Sequence, residues 1–169
     1  HTRDTGRALA GAIDNTAFSL SGKYAFGPHA VMLGWQRING DTPFDFVGGD
    51  SIYLANSIKY ADFNGAGERS WQARYDLDLG ALGIPGLTFM TRYLSGDDVD
   101  LGAGRADGKE WERDMDIGYV IQSGPAKDLS LRLRQATYRS GDGVYYGSPS
   151  IDELRLIVSY PLKIMYSII

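Results

Sequence analysis

The sequence predicts an all-β chain forming part of an antiparallel transmembrane β-barrel, and three observations predict it. Seven segments alternate apolar and polar residues with the period of two that a strand with unlike faces requires. The connections between them alternate short and long, as the turns and loops at the two ends of a membrane barrel do. Large aromatic residues stand at the strand ends beside the long connections, where an interfacial girdle belongs.

The first two strands, 16–25 and 30–37, show weak alternation and are joined at Gly27-Pro28. A two-residue turn there sets Tyr24 opposite Val31 and Leu20 opposite Trp35. A long connection from Asn39 to Ser70 leads to the clearest strand, 71–79. Trp71, Ala73, Tyr75, Leu77 and Leu79 share one face, and Gln72, Arg74, Asp76 and Asp78 the other. The Gly80–Gly86 turn returns the chain as 87–94, with Leu87, Phe89, Thr91 and Tyr93 against Thr88, Met90, Arg92 and Leu94. Centring that hairpin on Gly83 brings Leu79 to Leu87, Leu77 to Phe89, Ala73 to Tyr93 and Arg74 to Arg92. A second long connection, Ser95 to Glu110, precedes strand 112–122. Ser123–Asp128 turns it into 129–134, pairing Ile121 with Leu129, Tyr119 with Leu131, Ile117 with Leu133 and Asp116 with Arg134. After a third long connection, Ser140 to Asp152, the last strand is 153–162. Apolar residues meet apolar ones across each hairpin, as a shared face demands.

Trp35, Trp71, Tyr93 and Trp111 all fall at the long-loop end. Arg74, Arg92, Arg132, Arg134 and Arg155 lie on the polar faces, as do Asp76, Asp114 and Asp116. An arginine facing lipid near the bilayer midplane costs ~2–4 kcal/mol. The arginines therefore face a wet lumen, and Leu, Ile, Phe and Tyr face the acyl chains. A soluble β-barrel, with its apolar face inward, would alternate in the same way. Strand length, loop asymmetry and the aromatic girdle together separate the two.

Composition agrees and excludes some functions. The chain has 22 Gly, 11 Tyr and no Cys among 169 residues. Without cysteine there is neither a disulfide framework nor a thiolate metal site. A net charge of −4 offers no basic footprint for nucleic acid. No apolar run reaches the ~20 residues of a membrane helix. No motif calls for a cofactor or a metal. The acidic cluster Asp97, Asp98 and Asp100 lacks the spacing of an EF-hand loop. Gly49-Asp50-Ser51-Ile52 mimics the nucleophile block of a serine esterase. Its base is missing, since His1 and His29 both lie upstream. The chain reads as a non-enzyme. It starts at His1 with no basic-then-apolar leader, so the expectation is a processed or truncated start.

The segments Gly49–Ile52, Gly67–Trp71, Gly83–Tyr93, Lys109–Asp114 and Gln122–Pro125, with Asp152-Glu153 and Arg155–Tyr160, resemble the carboxy-terminal half of OprD-family outer-membrane porins. The similarity runs from about residue 4 to 162. It implies that residues 1–169 are the carboxy-terminal portion of one 18-stranded barrel in the bacterial outer membrane. Such barrels are found as loose trimers, touching lipid and lipopolysaccharide. The implied function is passive, selective uptake of small carboxylate-bearing solutes such as basic amino acids or aromatic acids. Arg74, Arg92, Arg132 and Arg134 match the family's basic ladder, a lumen row that guides the carboxylate. Asp76, Asp114, Asp116 and Arg155 are further lumen charges, and Asp50 and Ser51 are candidates for the inward-folded constriction loop. Arg74 and Arg92 are expected to face the solute, and Arg134 to be partly tied to Asp116. A structural or adhesive barrel, its charges fully paired, is the alternative. Lys163–Ile169 departs from the family, which ends on an aromatic residue soon after the position of Leu162.

Overall fold

The computed structural model of the chain describes residues 1–3, 7, 13–44, 53–144 and 150–161. These form one antiparallel sheet whose spatial order is the chain order. Its strands are β1 (Thr2–Arg3), β2 (Asp14–Phe26), β3 (His29–Gly40), β4 (Arg69–Asp78), β5 (Leu87–Val99), β6 (Gly108–Val120), β7 (Ser130–Ser140) and β8 (Ser150–Ser159). Seven long strands stand where alternation put them, and β1 is a two-residue addition. None of the described helices is long and apolar enough to cross a membrane.

The predicted register holds within the ladders, and just beyond β6 and β7 the Ile121 N–H donates to the Leu129 carbonyl at 2.9 Å. Tyr24 faces Val31 and Leu20 faces Trp35. Leu77 faces Phe89, Ala73 faces Tyr93 and Arg74 faces Arg92. Tyr119 faces Leu131, Ile117 faces Leu133 and Asp116 faces Arg134. Leu79 is an exception, because β4 stops at Asp78 and Leu79–Leu82 wind into a short 3-10 turn. The Asp78 carboxylate accepts the Gly80 N–H at 2.8 Å, so capping wins over a further ladder pair. At the first hairpin Gly27 takes φ +56°, the left-handed value that a tight hairpin needs at its first turn position.

The strands run beyond the alternation at the long-loop end. β5 continues through an irregularity between Gly96 and Val99, and β7 reaches Ser140 instead of stopping at 134. Alternation lapses there because Ala136, Thr137 and Tyr138 are all buried.

The sheet is polar on its concealed face and apolar on its open one. Along β6, Glu110, Glu112, Asp114 and Asp116 are buried, whereas Met115, Ile117 and Tyr119 are exposed. Leu33, Leu133, Leu154, Leu156 and Val158 are exposed on neighbouring strands. Water would reject such a surface, but hydrocarbon accepts it. The open face also carries the girdle: Trp71 and Tyr93 lie 5.7 Å apart between ring centroids, Tyr93 and Trp111 5.8 Å, and Phe18 and Trp35 5.9 Å.

A cluster of apolar side chains packs away from solvent inside the lumen. Ala61 and Phe63, from the connection between β3 and β4, bury against Leu94 and Tyr138, with Ile58, Tyr60 and Ile151 around them. That connection folds across the lumen face of the sheet instead of standing away from it.

Candidate functional site

Two groups of lumen side chains stand one above the other. The lower group is a belt of charge on two adjacent cross-strand rows. Lys23, Met32, Arg74, Arg92, Asp114, Ala136 and Glu153 are successive partners across β2 to β8. Two residues toward the short turns, Asp76, Met90, Asp116, Arg134 and Arg155 form the next row. Arg132 lies two residues farther in the same direction along β7.

Every predicted lumen charge is on this face, and each arginine of the belt meets a carboxylate. Arg74 Nη2 lies 2.6 Å from Asp76 Oδ1, and Lys23 Nζ is 3.5 Å from the same carboxylate. Arg92 holds Asp114 at 2.6 Å. Asp116 is shared, with Arg132 Nε at 2.7 Å and Arg134 Nε at 2.8 Å. Arg155 reaches Glu153 at 2.7 Å. The like-charged pair Arg74 and Arg92 is relieved from opposite sides, by Asp76 and Asp114. The expected tie of Arg134 to Asp116 is present, and Arg132 joins it.

The pairing leaves an excess. Lys23, Arg74, Arg92, Arg132, Arg134 and Arg155 stand against Asp76, Asp114, Asp116, Glu153 and, in the row of Arg132, Asp78, and Glu153 also takes Lys59 Nζ at 2.6 Å. Among the described residues Arg132 and Arg134 spend only Nε on carboxylate, at Asp116, which leaves their Nη donors for another acceptor. Arg74, Asp76, Met90, Asp116 and Arg132 line part of a cleft of about 420 Å³ on the lumen side.

The upper group docks the inward segment, residues 53–66. Asn56, fully buried, accepts Gln72 Nε2 at 2.9 Å, donates to Ser70 Oγ at 2.8 Å, and its N–H reaches Gln36 Oε1 at 3.0 Å. Gln36 Nε2 donates to the Phe63 carbonyl at 2.7 Å. Glu112, 0% exposed, accepts the backbone N–H groups of Ala61 at 3.0 Å and Tyr60 at 3.2 Å. The Tyr60 hydroxyl donates to Glu153, which ties this segment to the charged belt. Burial, aided by that bond, pushes the Tyr60 hydroxyl up to about 12. Close approach requires Gly96, where a Cβ would lie 2.0 Å from Glu68 Oε1.

Glu68 is buried beside Glu110 behind this segment, two carboxyl groups whose negative charges oppose each other. Glu68 also accepts the Gly65 N–H at 2.8 Å, and Glu110 accepts the Tyr138 hydroxyl. Burial first, and then the charge of Glu110, push the Glu68 carboxyl up to about 9. A carboxyl raised on docking contributes fully below its ordinary value near 4.5, and that contribution drains away as pH rises toward 9. Current fluctuations of the channel are therefore expected to grow between pH 5 and pH 9, and Glu68→Gln should flatten the dependence. An unchanged slope in the variant would remove Glu68 as its source.

Sequence reasoning missed this dock. The resemblance implied an inward-folded loop from this connection without naming the residues that dock it, and glycines at lumen positions of two strands, Gly34 and Gly96, were a further legible signal, since a strand glycine marks a close backbone approach. Asp50 and Ser51, the predicted constriction residues, lie outside the described residues.

The family described as outer membrane porin, OprD family, matches residues 1–164. Porin D of Pseudomonas aeruginosa (strain PAO1) is 48% identical over 97% of this chain and 41% of its own length. Porin-like protein GalP of Pseudomonas putida (strain KT2440) is 38% identical over 96% of this chain and 38% of its own. Among solved structures, OccK10 (OpdN) of P. aeruginosa superposes with a TM-score of 0.88 at 50% identity, covering 96% of this chain and 46% of that one. The outer membrane protein OprD of P. aeruginosa gives 0.86 at 48% identity, covering 95% and 44%. The chain thus spans about two fifths of the length of the curated relatives it matches. Porins are channels, not enzymes, which sets aside the esterase-like reading of Gly49–Ile52. A polar concealed face, an apolar open one and these matches place the chain in the OprD family of outer-membrane porins.

Proposed function

We propose that these strands are the carboxy-terminal portion of a larger barrel, 18-stranded like the family's, that passively admits small solutes bearing a carboxylate. Basic amino acids and aromatic acids are the solute classes that the family resemblance implies. The excess of cations over carboxylates on the lumen belt carries the reading. Arg74, Arg92, Arg132 and Arg134 form the basic ladder. Their guanidinium groups stay charged and present forks matched to a carboxylate. The lumen acids hold these forks in place and moderate their attraction, so that a solute is released as well as bound. Asp76, Asp114, Asp116 and Arg155 set that balance. In the complete protein the open sheet edges meet further strands, because unpaired backbone cannot face lipid. Loose homotrimers and lipopolysaccharide contacts complete the assembly.

The test uses Arg74→Gln with Arg132→Gln, both on the partly exposed side of the belt. Flux of a carboxylate-bearing solute is expected to fall about tenfold, the equivalent of ~1.4 kcal/mol, while that of a neutral solute of equal size holds. Equal loss for both solutes, or no loss, would remove the ladder from the pathway. The complete pairing of the belt arginines favours one second reading, a structural or adhesive barrel. Single-channel recording separates them, since a plugged barrel passes no current.

A further inference from the structure

The inward segment brings a cation of its own to the charged belt. The Ile58 N–H donates to the Ala61 carbonyl at 3.0 Å, which turns the chain at Lys59 and Tyr60. Ile58 and Tyr60 pack against the buried apolar cluster, and Glu112 accepts the N–H groups of Tyr60 and Ala61. The backbone at Lys59 is thus fixed by its neighbours and not by its own side chain. That side chain is 13% exposed, and its Nζ lies 2.6 Å from Glu153 Oε1, an ion pair with both atoms closed to solvent.

Glu153 differs from the other belt acids in what stands around it. Arg92 lies directly across the ladder from Asp114, and Arg134 directly across from Asp116. On β7 the partner of Glu153 is Ala136, fully buried and without charge. Arg155, on the same strand, reaches Oε2 at 2.7 Å, and the Tyr60 hydroxyl donates to that same oxygen. Oε1 is left to Lys59 among the described residues. Asp62, on the inward segment, accepts Ser57 Oγ at 2.6 Å and meets no cation among the described residues, so the cap belongs to Glu153 in particular.

We propose that Lys59 is a specificity-determining residue of the channel, which caps Glu153 and so turns the pore against cationic solutes. A carboxylate oxygen beside a wet path raises the local concentration of passing cations. The lysine ammonium, a compact point charge, already stands where the ammonium of a solute would bind. Solutes whose only charge is a carboxylate, such as aromatic acids, then pass in preference to basic amino acids. This deepens the proposed uptake of carboxylate-bearing solutes and rests on that reading.

The experiment uses the complete channel in planar bilayers and in liposomes. Reversal potentials in a potassium chloride gradient give the cation-to-anion permeability ratio, and liposome flux compares arginine with benzoate. Lys59→Gln is expected to raise both ratios about fourfold, the effect of one uncompensated charge acting across ~5 Å of water. Lys59→Arg should keep the parent ratios. Glu153→Gln should lower them, and Lys59→Gln with Glu153→Gln should return them to the parent values, because the pair then leaves the lumen charge unchanged. A larger conductance with unchanged ratios would make Lys59 a mere tether of the segment and overturn the proposal. A shift that survives in the double variant would also overturn it, since Glu153 would not be the capped acid. The ladder variants keep Lys59, and the potassium-to-chloride ratio needs no solute carboxylate, so the two readings fail separately.

Discussion

Glu112→Leu should release the inward segment and raise the conductance of the channel. Glu112 is completely buried and accepts two consecutive backbone N–H groups, those of Tyr60 and Ala61. Leucine fills similar space but accepts nothing. Each buried N–H left without a partner costs ~1–3 kcal/mol. The loss falls on docking and not on the barrel wall, because β6 keeps its ladder to β5 and β7. Ala61 and Phe63 would then part from Leu94 and Tyr138, opening the lumen beside the charged belt. Single-channel recordings should show a larger mean current with added flicker. Glu112→Gln retains one acceptor oxygen and should fall between the two. A Glu112→Leu channel with the parent current would mean that Asn56 and Gln36 hold the segment alone.

The second large effect separates the two faces of the sheet. Ile117 is 46% exposed on the open face of β6, between Trp111 of the girdle and the short turn that follows Val120. Ile117→Arg should destabilise the complete barrel in a bilayer by ~2–4 kcal/mol, the cost of a cation against lipid near the midplane. Met90 points to the lumen in the row of Asp76 and Asp116. Met90→Arg places the same charge beside two carboxylates in a wet lumen and should change stability little. Equilibrium unfolding in urea from lipid vesicles measures both. Similar losses at the two positions would reverse the assignment of the faces and remove the basis of the porin reading.

Much of the fold was legible because strand faces are a local property. The side-chain period of two assigns each residue to a face without knowledge of its neighbours. Apolar pairing across short turns then placed Leu20 against Trp35 and Ile117 against Leu133. The lengthening of β7 was hidden, because Ala136, Thr137 and Tyr138 are buried together once the inward segment and β8 cover them. Leu79 was misplaced because a local cap from Asp78 competes with the ladder and wins.

The belt was legible as a set of residues but not as a set of bonds. Alternation put Arg74, Arg92, Arg132, Arg134 and Arg155 in the lumen with Asp76, Asp114 and Asp116. Whether a guanidinium turns along its own strand, as Arg74 does to Asp76, or across to the next, as Arg92 does to Asp114, depends on rotamers and on close neighbours. Asp116 takes two arginines for the same reason.

Alternation along the chain was enough to assign the lipid side of every long strand, because a charge in hydrocarbon near the midplane costs ~2–4 kcal/mol. It also determined the parity of the hairpin registers, since a one-residue slip would turn every side chain to the wrong face, whereas a two-residue slip keeps each face and leaves the exact partners to the turns. Where residues 53–66 dock and which carboxylate each arginine meets emerged only from the folded chain. Those outcomes depend on backbone N–H groups finding acceptors on strands distant in sequence, as Tyr60 and Ala61 do on Glu112, and no local pattern records that match.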